Sequence, residues 1–315
     1  MRAAVVTELG QPPSPGELPE PAAAEGEVVL KVLAAPLNPL DVAVGSGKFY
    51  GGHPELPYVP GAEGVGRVRD SGELVWTFAG GLGMSRNGAM AEFAVAPAER
   101  LVPVPEEADP VLAGALGIAG LAGWLPLARR APVREGETVL VLGATGTVGL
   151  VAVQTARLLG AGRIVAAGRN EQGLAQARSA GADATVQLEG DFREELRAAV
   201  GEDGATLVFD PVWGEVLPAA LDAAAPGARI VHVGQSAGPE ACLTSAAVRG
   251  KQLDLLGFSS FAVPMDVLRS EYDRLVRHAL AGDIRLDVEA VPLEDVSEAW
   301  RRQAAGGGPK LVLVP

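Results

Sequence analysis

The second half of the chain contains the run TVLVLGATGTVG, residues 138–149, which has the clearest structural pattern in the sequence. Its apolar start, Thr138 to Leu142, predicts a buried strand, and helical periodicity begins at Val148. The loop between them reads A-x-G-x-x-G, a pattern in which small residues form the turn, admit a pyrophosphate and let helix and strand pack closely. The residues predicted to cradle a dinucleotide are Gly143, Ala144, Thr145, Gly146, Thr147, Val148 and Gly149.

Apolar strands and Ala-rich helical stretches alternate around and beyond this loop. The predicted strands are 138–142, 163–167, 185–187, 206–210, 229–233 and 253–257, with helices between them. This alternation predicts a doubly wound parallel sheet of the α/β class. By contrast, residues 1 to about 110 are rich in Pro, Gly and short β-like runs, which predicts an all-β region.

The end of the second predicted strand bears on the choice of cofactor. An NAD site carries an acidic residue there to bind the ribose 2′-hydroxyl, whereas this chain has Gly168, followed by Arg169 and Asn170. A guanidinium can pair with a 2′-phosphate, and Asn170 can cap the next helix. The sequence therefore predicts NADPH, the alternative being that Arg169 is an ordinary exposed charge.

Further loops follow predicted strands at their carboxyl ends, where sheets of this class bind ligands. We expect three of them to contact the cofactor. Their residues are Asp210, Pro211 and Val212, then Gly234, Gln235 and Ser236, and near the nicotinamide Gly257, Phe258 and Ser259.

Composition excludes several classes of partner. The 26 Lys and Arg against 39 Asp and Glu give a formal net charge of −13, so neither nucleic acid nor an anionic membrane surface is an expected partner. A lone cysteine, Cys242, cannot form an intrachain disulfide and fits the cytoplasm. The uncharged stretch 111–128 could imitate a membrane span, but its content of Gly and Ala indicates a buried segment of small residues.

The chain resembles the medium-chain dehydrogenase/reductase superfamily, in its zinc-independent NADPH:quinone oxidoreductase branch. The resemblance rests on the glycine loop and on the segments Asn38–Asp41, Pro60–Val68, Ala91–Phe93, Pro97–Leu101, Gly227–Gly234 and Pro292–Trp300. It implies a GroES-like β-rich catalytic domain at 1–115, an inserted Rossmann NADP-binding domain at 116–260, and a return at 261–315 that completes the catalytic domain. The active site would lie in the cleft between the two domains, in a homodimer formed through the edge strand 253–257.

The same resemblance implies hydride transfer from NADPH without zinc. Zinc-dependent members carry Cys and His where this chain has Asn38 and Ala62, so no metal ligands are expected. The substrate would be a quinone, an enone or enal, or a small carbonyl compound. Asn38 and Tyr50 are the expected hydrogen-bond donors to its oxygen, and Asp41 the residue that orients their loop. In many relatives a Lys that helps hold the 2′-phosphate stands at the position of Gly173.

The sequence also contains signals of other protein classes. The run Gly234 to Gly238 satisfies G-x-S-x-G after a strand, and Asp266 and His278 follow in the order of a serine α/β-hydrolase that would use Ser236. Pro239 falls where the helix of that motif should begin. A short-chain reductase requires a Tyr-x-x-x-Lys pair that the chain lacks. A non-enzymatic NADPH-binding sensor remains compatible with the same glycine loop.

Overall fold

A computed structural model describes all 315 residues. The strands are β1 Arg2–Val5, β2 Ser14–Glu17, β3 Glu27–Pro36, β4 Glu63–Val68, β5 Leu74–Phe78, β6 Phe93–Pro97, β7 Leu101–Pro103, β8 Thr138–Val141, β9 Arg163–Gly168, β10 Ala184–Gln187, β11 Ala205–Asp210, β12 Ala224–His232, β13 Asp254–Gly257, β14 Val288–Pro292 and β15 Lys310–Val314.

Ten α-helices accompany these strands. They are α1 Pro39–Gly45, α2 Pro110–Ala115, α3 Leu121–Leu125, α4 Thr147–Leu158, α5 Glu171–Ser179, α6 Phe192–Val200, α7 Val216–Ala223, α8 Ser245–Gly250, α9 Met265–Leu280 and α10 Val296–Ala305. Short 3₁₀ turns lie at Ala98–Arg100, Ser260–Ala262 and Leu293–Asp295, and π-helical turns at Leu116–Gly120 and Pro126–Arg130.

The chain forms two compact units. The β-rich unit comprises Met1–Ala119, Pro264–Leu280 and Leu286–Pro315, and the parallel-sheet unit comprises Gly120–Val263 and Ala281–Arg285. The sequence places the boundaries at 115/116 and 260/261. It also assigns 281–285 to the return, whereas the structure places this stretch in the parallel-sheet unit. There the Gln154 amide exchanges two hydrogen bonds with the backbone of Arg285.

The parallel-sheet unit has the predicted doubly wound topology. Its six strands are all parallel and lie in the order β10-β9-β8-β11-β12-β13. The sheet extends from β8 to β10 on one side and from β11 to β13 on the other, so the strand order reverses between β8 and β11. Neighbouring residues of each strand belong to opposite apolar cores, as in Val208 and Phe209 of β11. Both faces are therefore covered, which explains why these strands read as continuous apolar runs.

The β-rich unit is built on a seven-stranded mixed sheet. Its main path runs β14-β15-β3-β4-β5-β7, and β6 pairs with β3. The terminal strand β15 is antiparallel to β3, with Val312 opposite Pro36. This pairing brings the end of the chain beside the segment that begins at Leu37, and so positions the cluster of charges described below.

The segment that imitates a membrane span is mostly buried. Pro110–Arg130 is long and apolar enough to cross a bilayer, but 72% of its most apolar window lies inside the protein. The segment is also irregular, because Gly117 departs from helical geometry with φ −60° and ψ −117°. The burial agrees with the sequence interpretation of a core segment.

Candidate active site

The glycine loop forms an open cradle at the start of α4. Gly146 is the N-cap residue and provides no side-chain cap, so the first amide groups of α4 are left for another partner. A Cβ on Gly149 would lie 2.3 Å from the Gly143 carbonyl oxygen, whereas one on Gly146 would meet nothing closer than 3.8 Å. Gly149 therefore serves close packing, and the space beside Gly146 is open.

The end of β9 carries a free cation. The Arg169 side chain is exposed, and its guanidinium makes no hydrogen bond or ion pair within the protein. Asn170 Oδ1 accepts the backbone N–H of Gly173 at 2.7 Å and caps α5. A Cβ on Gly173 would lie 2.6 Å from Thr145 Cβ, so the lysine found in relatives could not replace this glycine without displacing Thr145.

The loops after β11 and β12 are joined at the same edge of the sheet. Asp210 Oδ1 accepts the backbone N–H groups of Val212 and Trp213, at 3.0 and 2.8 Å. The backbone N–H of Ala237 donates to Val212 at 2.8 Å, which holds the loop after β12 against the loop after β11. The N–H of Phe258, after β13, donates to the carbonyl of His232 in the same way. The predicted cofactor loops thus converge within this unit.

A second polar centre lies in the β-rich unit, at the start of α1. Asp41 Oδ2 accepts the backbone N–H of Asn38 and Oδ1 accepts that of Ala62, both at 2.8 Å. Asp41 is buried. Its carboxylate joins the backbone of Asn38 to that of Ala62, the two positions at which zinc-dependent relatives carry Cys and His. The residue orients the loop by bonds to its backbone.

The Asn38 side chain lies inside a buried chain of hydrogen bonds. Its Nδ2 donates to Glu63 Oε1 at 2.7 Å, and its Oδ1 accepts from Lys310 Nζ at 2.7 Å. The second Nδ2 hydrogen faces the Pro36 carbonyl at 3.4 Å. Both ends of the amide are engaged, so the geometry gives Asn38 a different role from the one expected: it orders the buried chain and leaves no donor free for a substrate oxygen.

The electrostatics of this centre follow from burial. Burial raises the pKa of the Asp41 carboxyl to about 6, against the opposing effect of the backbone N–H groups and of Lys310. Burial likewise raises the pKa of Glu63 and lowers that of Lys310. The Lys310 ammonium also donates to the Leu37 carbonyl at 2.8 Å. Two buried carboxyl groups thus lie within electrostatic reach of one buried cation.

Glu63 is held by the surrounding core as well as by Asn38. Its Oε2 accepts from the Trp76 indole and from the backbone N–H of Ile118, both at 2.8 Å. The lack of a side chain at Gly117 leaves room for this carboxylate, because a Cβ there would lie 2.0 Å from Glu63 Oε2. Tyr272 stacks on Trp76 at 4.7 Å and donates to the Ala113 carbonyl. This carboxylate is therefore fully satisfied although it is completely buried.

Tyr50, the other expected donor, lies after α1 and is separate from this buried cluster. Its side chain is 94% exposed and rests against the Phe49 ring, with the ring centroids 4.5 Å apart. No protein group bonds to its hydroxyl, which therefore remains available to a ligand.

Several residues of these centres were missed by sequence reasoning. Glu63 lies in the segment Pro60–Val68, which contributed only to the family resemblance. Lys310 begins the apolar run KLVLV, and a charged residue in such a run could have indicated a buried cation. No pattern in the sequence indicated a role for His232, yet its Nδ1 lies 3.4 Å from Asp210 Oδ2. Lys310 lies 272 residues from its partner Asn38, Glu63 lies 25 residues from Asn38, and His232 lies 22 residues from Asp210. No local spacing pattern could reveal contacts over such distances in the sequence.

Comparison with known proteins identifies the family of the chain. The family description "Alcohol dehydrogenase GroES-like domain" matches residues 24–106, and "Zinc-binding dehydrogenase" matches residues 147–280. The quinone oxidoreductase of Lama guanicoe is 31% identical over 76% of this chain and 74% of its own length. That of Homo sapiens is 27% identical over 98% and 95% of the two chains. The chain belongs to the medium-chain dehydrogenase/reductase superfamily, in its quinone oxidoreductase-like branch.

Structural comparison agrees with this membership. The quinone oxidoreductase of Thermus thermophilus, described together with its NADPH complex, superposes with a TM-score of 0.84 at 30% identity and complete coverage of both chains. The protein is therefore an oxidoreductase of this superfamily with a nicotinamide cofactor, and the cradle at Gly146 fits the pyrophosphate of such a cofactor.

The residues present do not fit a zinc ion, despite the family description. At the positions of the zinc ligands stand an amide, Asn38, and a methyl group, Ala62. The neighbouring carboxylates, Asp41 and Glu63, are already bonded within the protein, and the Lys310 ammonium beside them would repel a divalent cation.

The serine-hydrolase hypothesis finds no triad. Asp266 and His278 lie on the single helix α9, where twelve residues separate them by about 18 Å along the axis. An aspartate at that distance cannot orient the histidine. Ser236 Oγ instead faces the Pro211 carbonyl at 3.4 Å.

Proposed function

We propose that the protein is a zinc-independent, NADPH-dependent reductase of quinones, enones or enals, or small carbonyl compounds. The observation that carries the proposal is the combination of the open cradle at Gly146 with the unpaired Arg169 guanidinium at the end of β9. The cradle suits a pyrophosphate, and the cation, with Gly168 in the place of an acidic residue, suits a 2′-phosphate.

Arg169→Ala tests the choice of cofactor. The variant should lose about tenfold or more in affinity for NADPH, because a charge-assisted hydrogen bond contributes about 1.5–3 kcal/mol, while NADH affinity should change little. Arg178→Ala is the matched control, since Arg178 is an exposed arginine in the last turn of α5, where it bonds to Thr185. Equal losses for both nucleotides in a fluorescence titration would refute the assignment to NADPH.

The chain's contribution to the chemistry is binding, orientation and a hydrogen-bond donor. The bound nicotinamide supplies the hydride. We propose that the Tyr50 hydroxyl donates to the substrate oxygen on which negative charge develops, because its hydroxyl is exposed and free. Asn38 and Asp41 would act by fixing the loop before α1, through the buried bonds to Glu63, Lys310 and the backbone.

The first assay is NADPH oxidation against a panel of quinones, enals and ketones, beside a binding titration. Turnover of one class identifies the reaction as quinone, alkene or carbonyl reduction. Tight binding of NADPH without turnover of any class would instead favour a sensor. Tyr50→Phe should lower kcat with little change in NADPH affinity, and an unchanged kcat would assign the donor elsewhere.

We also propose a cytoplasmic homodimer, joined through the edge strand 253–257. The strand β13 is one outer edge of the parallel sheet, and Leu255 on it is exposed, which makes it suited to pairing with a second copy. Leu255→Lys should convert the dimer to a monomer in light scattering. Leu158→Lys, which alters another exposed leucine, should leave the mass unchanged.

A further inference from the structure

The parallel-sheet unit contains an Asp–His pair that the proposed function does not use. Asp210 and His232 are in-register neighbours at the carboxyl ends of β11 and β12. Asp210 is fully buried, and its Oδ2 lies 3.4 Å from His232 Nδ1. The Trp213 ring covers the imidazole at a centroid distance of 4.1 Å.

Two buried polar atoms of this pair make no hydrogen bond within the protein. Asp210 Oδ1 is occupied by the N–H groups of Val212 and Trp213, but Oδ2 has no hydrogen-bond partner, nor does His232 Nδ1. A buried carboxylate oxygen without a donor destabilises the folded protein. The negative charge of Oδ2, 3.4 Å from Nδ1, attracts a proton on that nitrogen and repels a lone pair there. The position of the carboxylate therefore favours the imidazole tautomer with the proton on Nδ1.

The rest of the ring is directed to solvent. The His232 side chain is 32% exposed although Nδ1 is buried, and no protein group bonds to Nε2. With the proton on Nδ1, Nε2 is a hydrogen-bond acceptor. An accessible acceptor thus stands at the carboxyl edge of the sheet, between the loops after β11 and β12.

The topology indicates which part of the cofactor would meet this acceptor. Arg169, at the end of β9, lies on one side of β8, whereas β11 and β12 lie on the other side of the point where the strand order reverses. A dinucleotide bound across that point, with its 2′-phosphate at β9, extends its nicotinamide half over β11 and β12.

We propose that His232 is a further ligand of the nicotinamide half of the cofactor. The Asp210 carboxylate holds the proton on His232 Nδ1, and Nε2 accepts a hydrogen bond from a hydroxyl or amide N–H of that half. The proposal rests on the proposed NADPH-binding function, and it assigns to His232 a role in binding and orienting the cofactor.

Histidine NMR tests the proposal directly, because the chain has only three histidines, His53, His232 and His278. Imidazole ¹H–¹⁵N spectra of ¹⁵N-histidine protein at pH 8, assigned with His→Gln variants, should show His232 with its proton on Nδ1. In Asp210→Asn the amide NH₂ would replace Oδ2 and donate to Nδ1, so the proton should move to Nε2. Wild-type protein with the proton on Nε2 would overturn the proposal.

Fragments of the cofactor then separate the two halves. NADPH should shift the His232 Nε2 resonance, whereas 2′,5′-ADP, which lacks the nicotinamide half, should leave it in place. A bound NADPH that does not shift His232, or an equal shift with 2′,5′-ADP, would overturn this inference and leave the proposed function standing. Failure of NADPH to bind in the fluorescence titration would overturn both.

Affinity provides an independent readout. His232→Gln should raise the Kd for NADPH about three- to tenfold, the size of one hydrogen bond, and should not change that for 2′,5′-ADP. The matched control is His278→Gln, on α9. A loss for 2′,5′-ADP as large as that for NADPH would mean that His232 acts on the fold of the loops and not on the nicotinamide half.

Discussion

Replacing Lys310 by Met should expose how much the buried cluster depends on its one cation. The Lys310 ammonium is buried beside Glu63 and Asp41 and donates to Asn38 Oδ1 and the Leu37 carbonyl. The ammonium acts on both carboxyl groups through its charge, without a direct ion pair. Removing the one compensating cation should cost about 3–5 kcal/mol, as for a buried ion pair, because the remaining charge stays out of water. We therefore expect Lys310→Met to lower the free energy of unfolding by about that amount at pH 8.

A second substitution should restore much of this loss. In Glu63→Gln, the amide oxygen would accept from Trp76 and Ile118, and its NH₂ would face Asn38. The Asn38 amide must then rotate, which turns its own NH₂ toward position 310. Lysine there produces a donor–donor clash, but methionine does not. The single change Glu63→Gln should cost about 1–3 kcal/mol.

The double variant should be more stable than the sum of the single changes predicts, by about 1–3 kcal/mol of coupling. Urea unfolding followed by tryptophan fluorescence gives the three free energies. Hydrogen exchange of 60–78, compared with 205–233, identifies the unit that loses protection. Additive single costs, or loss of protection in the parallel-sheet unit alone, would refute the proposed bonding of Asn38, Glu63 and Lys310.

Three further outcomes are expected. Burial raises the pKa of Asp41 from its ordinary 3.8 to about 6, so between these values the folded chain binds more protons than the unfolded chain. The Asp41 contribution to the free energy of unfolding should therefore fall by about 3 kcal/mol as the pH rises from about 4 to 6. The urea midpoints of Asp41→Asn should lack this dependence on pH, and an identical dependence would contradict the assignment to Asp41. Arg229→Met should cost about 3–5 kcal/mol, since it strands the nearly buried carboxylate of Glu137, and a second change, Glu137→Leu, should recover most of the loss in thermal unfolding. Gly173→Ala should cost about 1–3 kcal/mol through overpacking against Thr145, with relief in the Thr145→Gly background; an equal cost in both backgrounds would show that the contact is not responsible.

The amino-acid sequence was sufficient for the parallel-sheet unit because its signals are local. The strand, the glycine loop and the helix that follows are contiguous, and the capping of α5 by Asn170 spans only three residues. Periodicity likewise explains α6, Phe192–Val200, because its apolar residues repeat at helical spacing. Close packing at Gly149 also follows from the spacing of the loop itself.

The chemistry of the β-rich unit was decided by tertiary structure, because its bonds join distant segments. Asn38 could be recognised as a polar residue at a turn, but only the pairing of β15 with β3 brings Lys310 to its side chain, across 272 residues. The same holds for Asp210 and His232, whose contact depends on the register of two strands. The residue types and local spacings determined the fold and the cofactor loop, whereas the long-range packing determined which polar groups are already satisfied and which remain free to act.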